Sequence, residues 1–134
     1  LLIGDRAMHA CLPNFAHSYD LGQEWSDWTG LPFVYAFWAV RAGVDLGVEV
    51  EHALLRAKRH GVKHVDRIAE REAPILGLDP GFCRRYLDTI LSFDLGPREE
   101  AGLRRFHTLA AEMGLAPREV ELEYYRSRNL VESR

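Results

Sequence analysis

Apolar residues fall along this chain in two regimes. Up to about residue 40 they come in unbroken runs; beyond Arg41 they recur at helical spacing. Leu1 to Ile3 form a short apolar run closed by Gly4-Asp5, the pattern of a buried strand ending in a turn. Residues 6–12 read as a short helix stopped at Pro13-Asn14, and residues 18–21 as a short strand ending at Gly22. Residues 23–28 read as a helical turn or two, stopped by Thr29-Gly30. Residues 32–40, P-F-V-Y-A-F-W-A-V, are aromatic and β-branched on both faces. That is the composition of a strand covered on both sides, as in an α/β sheet.

The second regime predicts four or five amphipathic helices. Residues 47–60 place Val50, Ala53, Leu54 and Ala57 on one stripe, and Gly61 is expected to break the helix. Residues 62–73 continue with Val65, Ile68 and Ala69, and Pro74 ends them. Asp79-Pro80 is an N-cap followed by proline at the first helical position, ahead of Phe82, Tyr86, Leu87, Ile90 and Leu91. Residues 97–112 open on Glu99-Glu100, which suit the positive end of a helix dipole. This helix is expected to bury Leu103, Phe106, Ala110 and Met113, with Gly114 as its cap. Residues 117–126 predict a last helix, followed by an Arg-rich tail.

The two apolar strands, at 1–3 and 32–40, together with five helices do not close a sheet, because buried strands need paired edges. The chain also opens on Leu1, inside an apolar run, and not on Met. We therefore expect these residues to be part of a larger α/β protein whose further strands are encoded upstream. The 134 residues are 47% hydrophobic and 28% charged, which excludes disorder and a disulfide scaffold. A net charge of −3 and a pI of about 6.1 disfavour nucleic-acid binding. The longest apolar run, ten residues from Leu31 to Val40, falls short of the ~18 needed to span a bilayer, so no membrane partner is expected. Cys11 and Cys83 lie far apart and fit a reduced compartment.

Two segments together resemble a known family. They are L-L-I-G-D-R-A-M, Leu1 to Met8, and Y-D-L-G-Q-E-W-S-D-W-T-G-L-P-F-V-Y-A-F-W, Tyr19 to Trp38. Within the second, D-L-G-x-x-W-x-x-x-T-G-L-P is long enough to be specific. Both are similar to the menaquinone-biosynthesis family of the futalosine pathway, specifically its chorismate dehydratases. The helical stretch Tyr86 to Phe106 fits as well. A sister enzyme that makes dihydroxynaphthoate typically carries a His-Glu pair where this chain has Gly4-Asp5, which favours the dehydratase.

The resemblance implies an α/β fold: the carboxy-terminal part of a type II periplasmic-binding-protein-like, two-lobed architecture, helix-rich in this portion. Residues 1–30 would finish the second lobe. Residues 31–134 would supply the hinge return strand and the helices of the first, and the amino-terminal half of the parent chain would be the missing partner. The implied reaction is carbon–oxygen lysis: chorismate loses a hydroxyl and a neighbouring ring proton as water, leaving 3-[(1-carboxyvinyl)oxy]benzoate. Aromatisation drives it, so no redox cofactor or metal is required, and the pathway would be cytoplasmic. The isolated residues are expected to be inactive.

Such chemistry needs a proton acceptor and groups that hold a dianion. Asp5 is the candidate catalytic residue, since Gly4-Asp5 follows a strand where open α/β sheets place ligand loops. Asp5 would also serve as the cap of a helix beginning at Arg6. Gly4, Thr29, Gly30, Leu31 and Pro32 are candidate substrate-binding residues. Gly4 would allow close backbone approach, Thr29 would bond a carboxylate, and Gly30 would flex or expose its N–H. A plain loop closing a helical turn reads equally well from Thr29-Gly30. Tyr35, Phe37 and Trp38 are read as core more than as cleft lining.

Other candidates are weaker. His60 and His64 share a helix face at i, i+4, but no H-E-x-x-H glutamate accompanies them, so they read as solvated and no metal is expected. Cys11 lacks a neighbouring base. Arg84-Arg85 and Arg104-Arg105 read as solvated faces. The alternative from another class is a non-catalytic solute-binding protein of the same fold; turnover separates the two.

Overall fold

A computed structural model of the chain describes residues 1–9, 14–120 and 122–125, the side chains of Asp5 and Arg6 excepted. Six α-helices are present among them: α1 Asp5–Met8, α2 Leu21–Thr29, α3 Gly47–Lys63, α4 Val65–Leu76, α5 Pro80–Arg85 and α6 Pro97–Glu112. No β-ladder forms among the described residues. The chain divides into two interleaved packing units. The first holds Leu1–Ala16 and Leu46–Phe93; the second holds His17–Asp45 and Asp94–Arg134.

In the first unit, α1 begins at Asp5, one residue earlier than its sequence implies, and residues 10–12 of the expected helix lie outside the described residues. Helix α3 runs through Gly61, which was expected to break it. A helical glycine costs about 1 kcal/mol, which is a penalty and not a stop. The break comes at His64, whose φ of −120° and ψ of 27° leave the helical region. Its Nδ1 lies 2.7 Å from the His60 carbonyl, and the two rings stand 4.2 Å apart.

Pro74 sits inside the last turn of α4 and does not end it. A proline removes the hydrogen bond its own N–H would make and crowds the carbonyl four residues back, yet the helix continues two residues beyond Pro74, to Leu76. Closure comes at Gly77, with φ 65°, where the Leu78 N–H reaches the Ala73 carbonyl at 2.9 Å. Asp79 caps α5 as predicted, accepting from the Phe82 N–H at 2.9 Å. The helix then widens into a π-turn, Tyr86–Ile90, closed by the Leu91 N–H on the Tyr86 carbonyl. Ala69 and Ala73 of α4 bury against Cys83 of α5, with Leu78 and Phe82 packed around them. Arg84 pairs with Asp66 at 2.8 Å on the exposed side of this contact.

The second unit is built on α2 and α6. Asp20 caps α2, its carboxylate accepting from the Gly22 and Gln23 N–H groups at 2.8 and 3.2 Å, so residues 18–21 lead into a helix where a strand was expected. At the start of α6 the Glu99 carboxylate reaches back to the Gly96 N–H at 3.0 Å. Trp25, Phe33 and Phe106 form an edge-to-face cluster with centroids 5.1–5.8 Å apart.

Residues 32–40 are extended or irregular and carry no strand partner among the described residues, contrary to expectation. Aromatic and β-branched content expresses a preference for being covered, and cannot supply the ladder that makes a strand. Tyr35, Phe37 and Trp38 are accordingly exposed and belong to no core here. Met113, expected to be buried, is exposed, and Phe106 is buried on one side only. No helix forms over 117–120 or 122–125, while residues 121 and 126 lie outside the described set. Instead Tyr124 and Tyr125 are tied by their hydroxyls to Glu100 and Asp45, at 2.8 and 2.7 Å. No helix among the described residues is long and apolar enough to cross a membrane.

Candidate functional site

Gly4 belongs to the first unit and adopts φ 69°, ψ −151°, a conformation essentially reserved for glycine. No atom lies within 4 Å of where its Cβ would be, so the backbone torsion and not crowding requires glycine. Gly4, and not Asp5, occupies the cap position of α1, and no side chain caps that end. Asp5 is therefore the first residue of the helix and not its cap.

The other candidates form one corner of the second unit. Thr29 ends α2, and Gly30 follows in the left-handed conformation, φ 69°. The Thr29 hydroxyl donates to the Trp25 carbonyl at 2.7 Å and accepts from the Leu31 N–H at 3.2 Å. The Gly30 N–H donates to the Ser26 carbonyl at 2.8 Å. A hydroxyl has one proton to give and proline none, so the donors of Thr29, Gly30 and Leu31 at this corner are engaged internally. The expected exposed Gly30 N–H is thus a helix-closing bond, because a left-handed residue after a helix turns its N–H back onto the last carbonyls.

A hollow of about 320 Å³ opens beside the corner, lined by Ser26, Gly30, Leu31, Pro32, Arg98 and Glu99. The sequence alone pointed to three of these. Arg98 lies in the first turn of α6, and its Nη2 donates to the Gly30 carbonyl at 2.9 Å across 68 residues of sequence. Guanidinium carries five donors, so one bond to a carbonyl leaves chemistry for a carboxylate. Glu99 is engaged in capping Gly96. Gly102, one turn further on, lets α6 approach the Pro32 backbone where any Cβ would collide with its carbonyl oxygen. The P-R-E-E start of α6 signalled a helix N-terminus; nothing local signalled its distant partner.

Next to Glu99 in the first turn of α6, Glu100 accepts from Arg104 and from the Tyr124 hydroxyl. The Arg104 hydrogen bond, then that of Tyr124, lowers the Glu100 carboxyl from its ordinary value. The same carboxylate raises the Tyr124 phenol. No cluster of three or more potential metal ligands stands together among the described residues.

Residues 1–112 match the family model described as menaquinone biosynthesis. The chain is 33% identical over 122 residues to a chorismate dehydratase of Thermus thermophilus, covering 79% of this chain and 45% of that one. It is 28% identical over 116 residues to a chorismate dehydratase of Campylobacter jejuni, covering 87% of this chain and 51% of that one. The chain thus spans about half the length of the curated relatives it matches.

Proposed function

The chain belongs to the menaquinone-biosynthesis family, and from that premise we propose that it is the carboxy-terminal portion of a lyase that dehydrates chorismate in the futalosine route, in the cytoplasm. The observation that carries this reading is the 33% identity to a chorismate dehydratase across 79% of the chain. The proposed fold is two-lobed and α/β, with residues 1–30 closing one lobe and 31–134 returning to the other. The packing units group residues within this chain; the lobes assign them to sheets completed by the half the chain does not span.

The reaction takes one proton and one hydroxyl from adjacent ring carbons and releases them as water, the two electrons of the broken C–H bond entering the aromatic ring. Asp5 is the proposed proton acceptor or orienting group. Gly4 keeps the backbone before it open to approach. Within the second unit, the Thr29–Pro32 corner and Arg98 line one hollow, and Arg98 offers the cation for a substrate carboxylate. Two carboxylates on the substrate make such a cation worth more than neutral donors.

The test supplies chorismate to the chain together with the complementary half of the family protein, and follows loss of water by mass spectrometry. The benzoate product is expected, with Asp5→Asn lowering kcat and Arg98→Ala raising KM, the latter partly restored by Arg98→Lys. Chorismate that binds yet stays intact identifies a solute-binding protein instead. An unchanged KM in Arg98→Ala reduces Arg98 to a strut.

A further inference from the structure

The hollow beside the Thr29–Pro32 corner lies wholly within the second unit and is lined by opposite charges on adjacent residues of one helical turn, Arg98 and Glu99. Arg98 uses one of its five donors on the Gly30 carbonyl. Glu99 engages Oε2 with the Gly96 N–H at 3.0 Å, its one hydrogen bond among the described residues. With Oε2 committed, Oε1 is the acceptor that this half-buried side chain has to offer. The Ser26 hydroxyl is turned to the Leu31 carbonyl at 3.5 Å, the outer limit of a hydrogen bond. Leu31 and Pro32 add apolar lining. A volume of about 320 Å³ is at the low end of small-molecule pockets, enough for one substituted ring.

We propose that Glu99 sets the specificity of this hollow: its Oε1 accepts from the hydroxyl of a ring whose carboxylate lies on Arg98. An ionised carboxylate has no proton to give. It therefore accepts from a hydroxyl and repels a second carboxylate, so a ligand carrying two carboxylates and one hydroxyl enters in one orientation. A ring carboxylate without the hydroxyl leaves Oε1 unpaired, and a site built to bond a hydroxyl rejects the analogue that lacks it. One consequence rests on the proposed dehydration. Its substrate carries the ring hydroxyl and its product has lost it, so Glu99 holds the first and releases the second.

The experiment titrates the 134-residue chain with trans-4-hydroxycyclohexane-1-carboxylate and with cyclohexane-1-carboxylate, followed by the amide resonances of Gly30, Leu31 and Gly96. The two probes differ by one hydroxyl, and neither becomes aromatic by losing water. The hydroxylated ring should bind at least about tenfold more tightly. Glu99→Gln keeps an oxygen for the Gly96 N–H and puts a neutral amide in place of the offered acceptor. It should narrow the preference at least about threefold, weakening the hydroxylated probe and strengthening the plain one. Glu112→Gln, at the far end of α6, should leave the preference unchanged. Amide exchange at Gly96 checks that the cap survives in Glu99→Gln, and the wild-type comparison needs no variant. Equal affinities, binding of neither ring, or a full preference in Glu99→Gln with its cap intact overturns the proposal. Conversion of chorismate alongside equal probe affinities refutes this inference alone. Chorismate bound but intact, with the hydroxyl preference present, refutes the lyase reading and leaves this one standing.

Discussion

Thr29 shows how a single hydroxyl is divided between local structure and chemistry. Its bonds to the Trp25 carbonyl and the Leu31 N–H close α2 and set the corner that follows. Thr29→Val keeps the shape and removes both bonds, and should destabilise the second unit by about 1 kcal/mol in urea denaturation, while Thr29→Ser stays near wild type. A second residue-scale expectation concerns Glu100. Its carboxyl is lowered because the charged form accepts from Arg104 and Tyr124. Its contribution to stability is therefore fully present above the ordinary glutamate value and lost as pH falls through the lowered one. Tyr124 runs the other way: its phenol is raised, so its contribution holds below the ordinary tyrosine value and is lost as pH rises through the raised one. Side-chain NMR titration should find Glu100 below ordinary glutamates, and Tyr124→Phe should move it part of the way back.

Among the elements, α6 does the most to place the candidate corner. Gly102 sits in the helix interior, where alanine normally gains up to about 1 kcal/mol. Here the added Cβ meets the Pro32 carbonyl oxygen, a backbone atom that cannot rotate away. Overpacking of that kind costs about 1–3 kcal/mol, so the collision wins and Gly102→Ala should destabilise. Faster amide exchange at Leu31 in that variant would locate the damage. Equal or greater stability would show that α6 does not bear on the corner. The caps of α2 and α5 were open to a different kind of reading. Asp79-Pro80 announces its helix locally, whereas Asp20 was missed because Ser18 to Leu21 looked extended until its carboxylate is seen on the next two N–H groups.

For the whole molecule, burial is the telling quantity. The buried apolar side chains among the described residues are Trp25, Val65, Ala69, Ala73, Cys83 and Ala111, three of them alanine. Ordering a residue costs about 1–2 kcal/mol of backbone entropy alone, and so few large buried groups offset little of it. The isolated chain should melt broadly, with a calorimetric enthalpy that departs from the van't Hoff value, and should bind the dye ANS; a sharp two-state transition would contradict this.

Helix positions from Gly47 to Glu112, the Asp79 cap and the family motif were all legible in order along the chain, because each depends on residues within a few positions of one another. Gly61 and Pro74 misled only about where helices stop, since neighbours on either side outvoted them. Residues 32–40 could not be resolved that way, for a strand exists only through a partner elsewhere. The same limit hid Arg98: its bond to Gly30, the Gly102 approach to Pro32 and the Trp25–Phe33–Phe106 cluster join residues far apart in sequence. Local periodicity and motif therefore settled the helices between Gly47 and Glu112, though not the one expected over 117–126, and to which family the chain belongs. Long-range packing alone decided which cation borders the corner and how closely α6 approaches the Pro32 backbone.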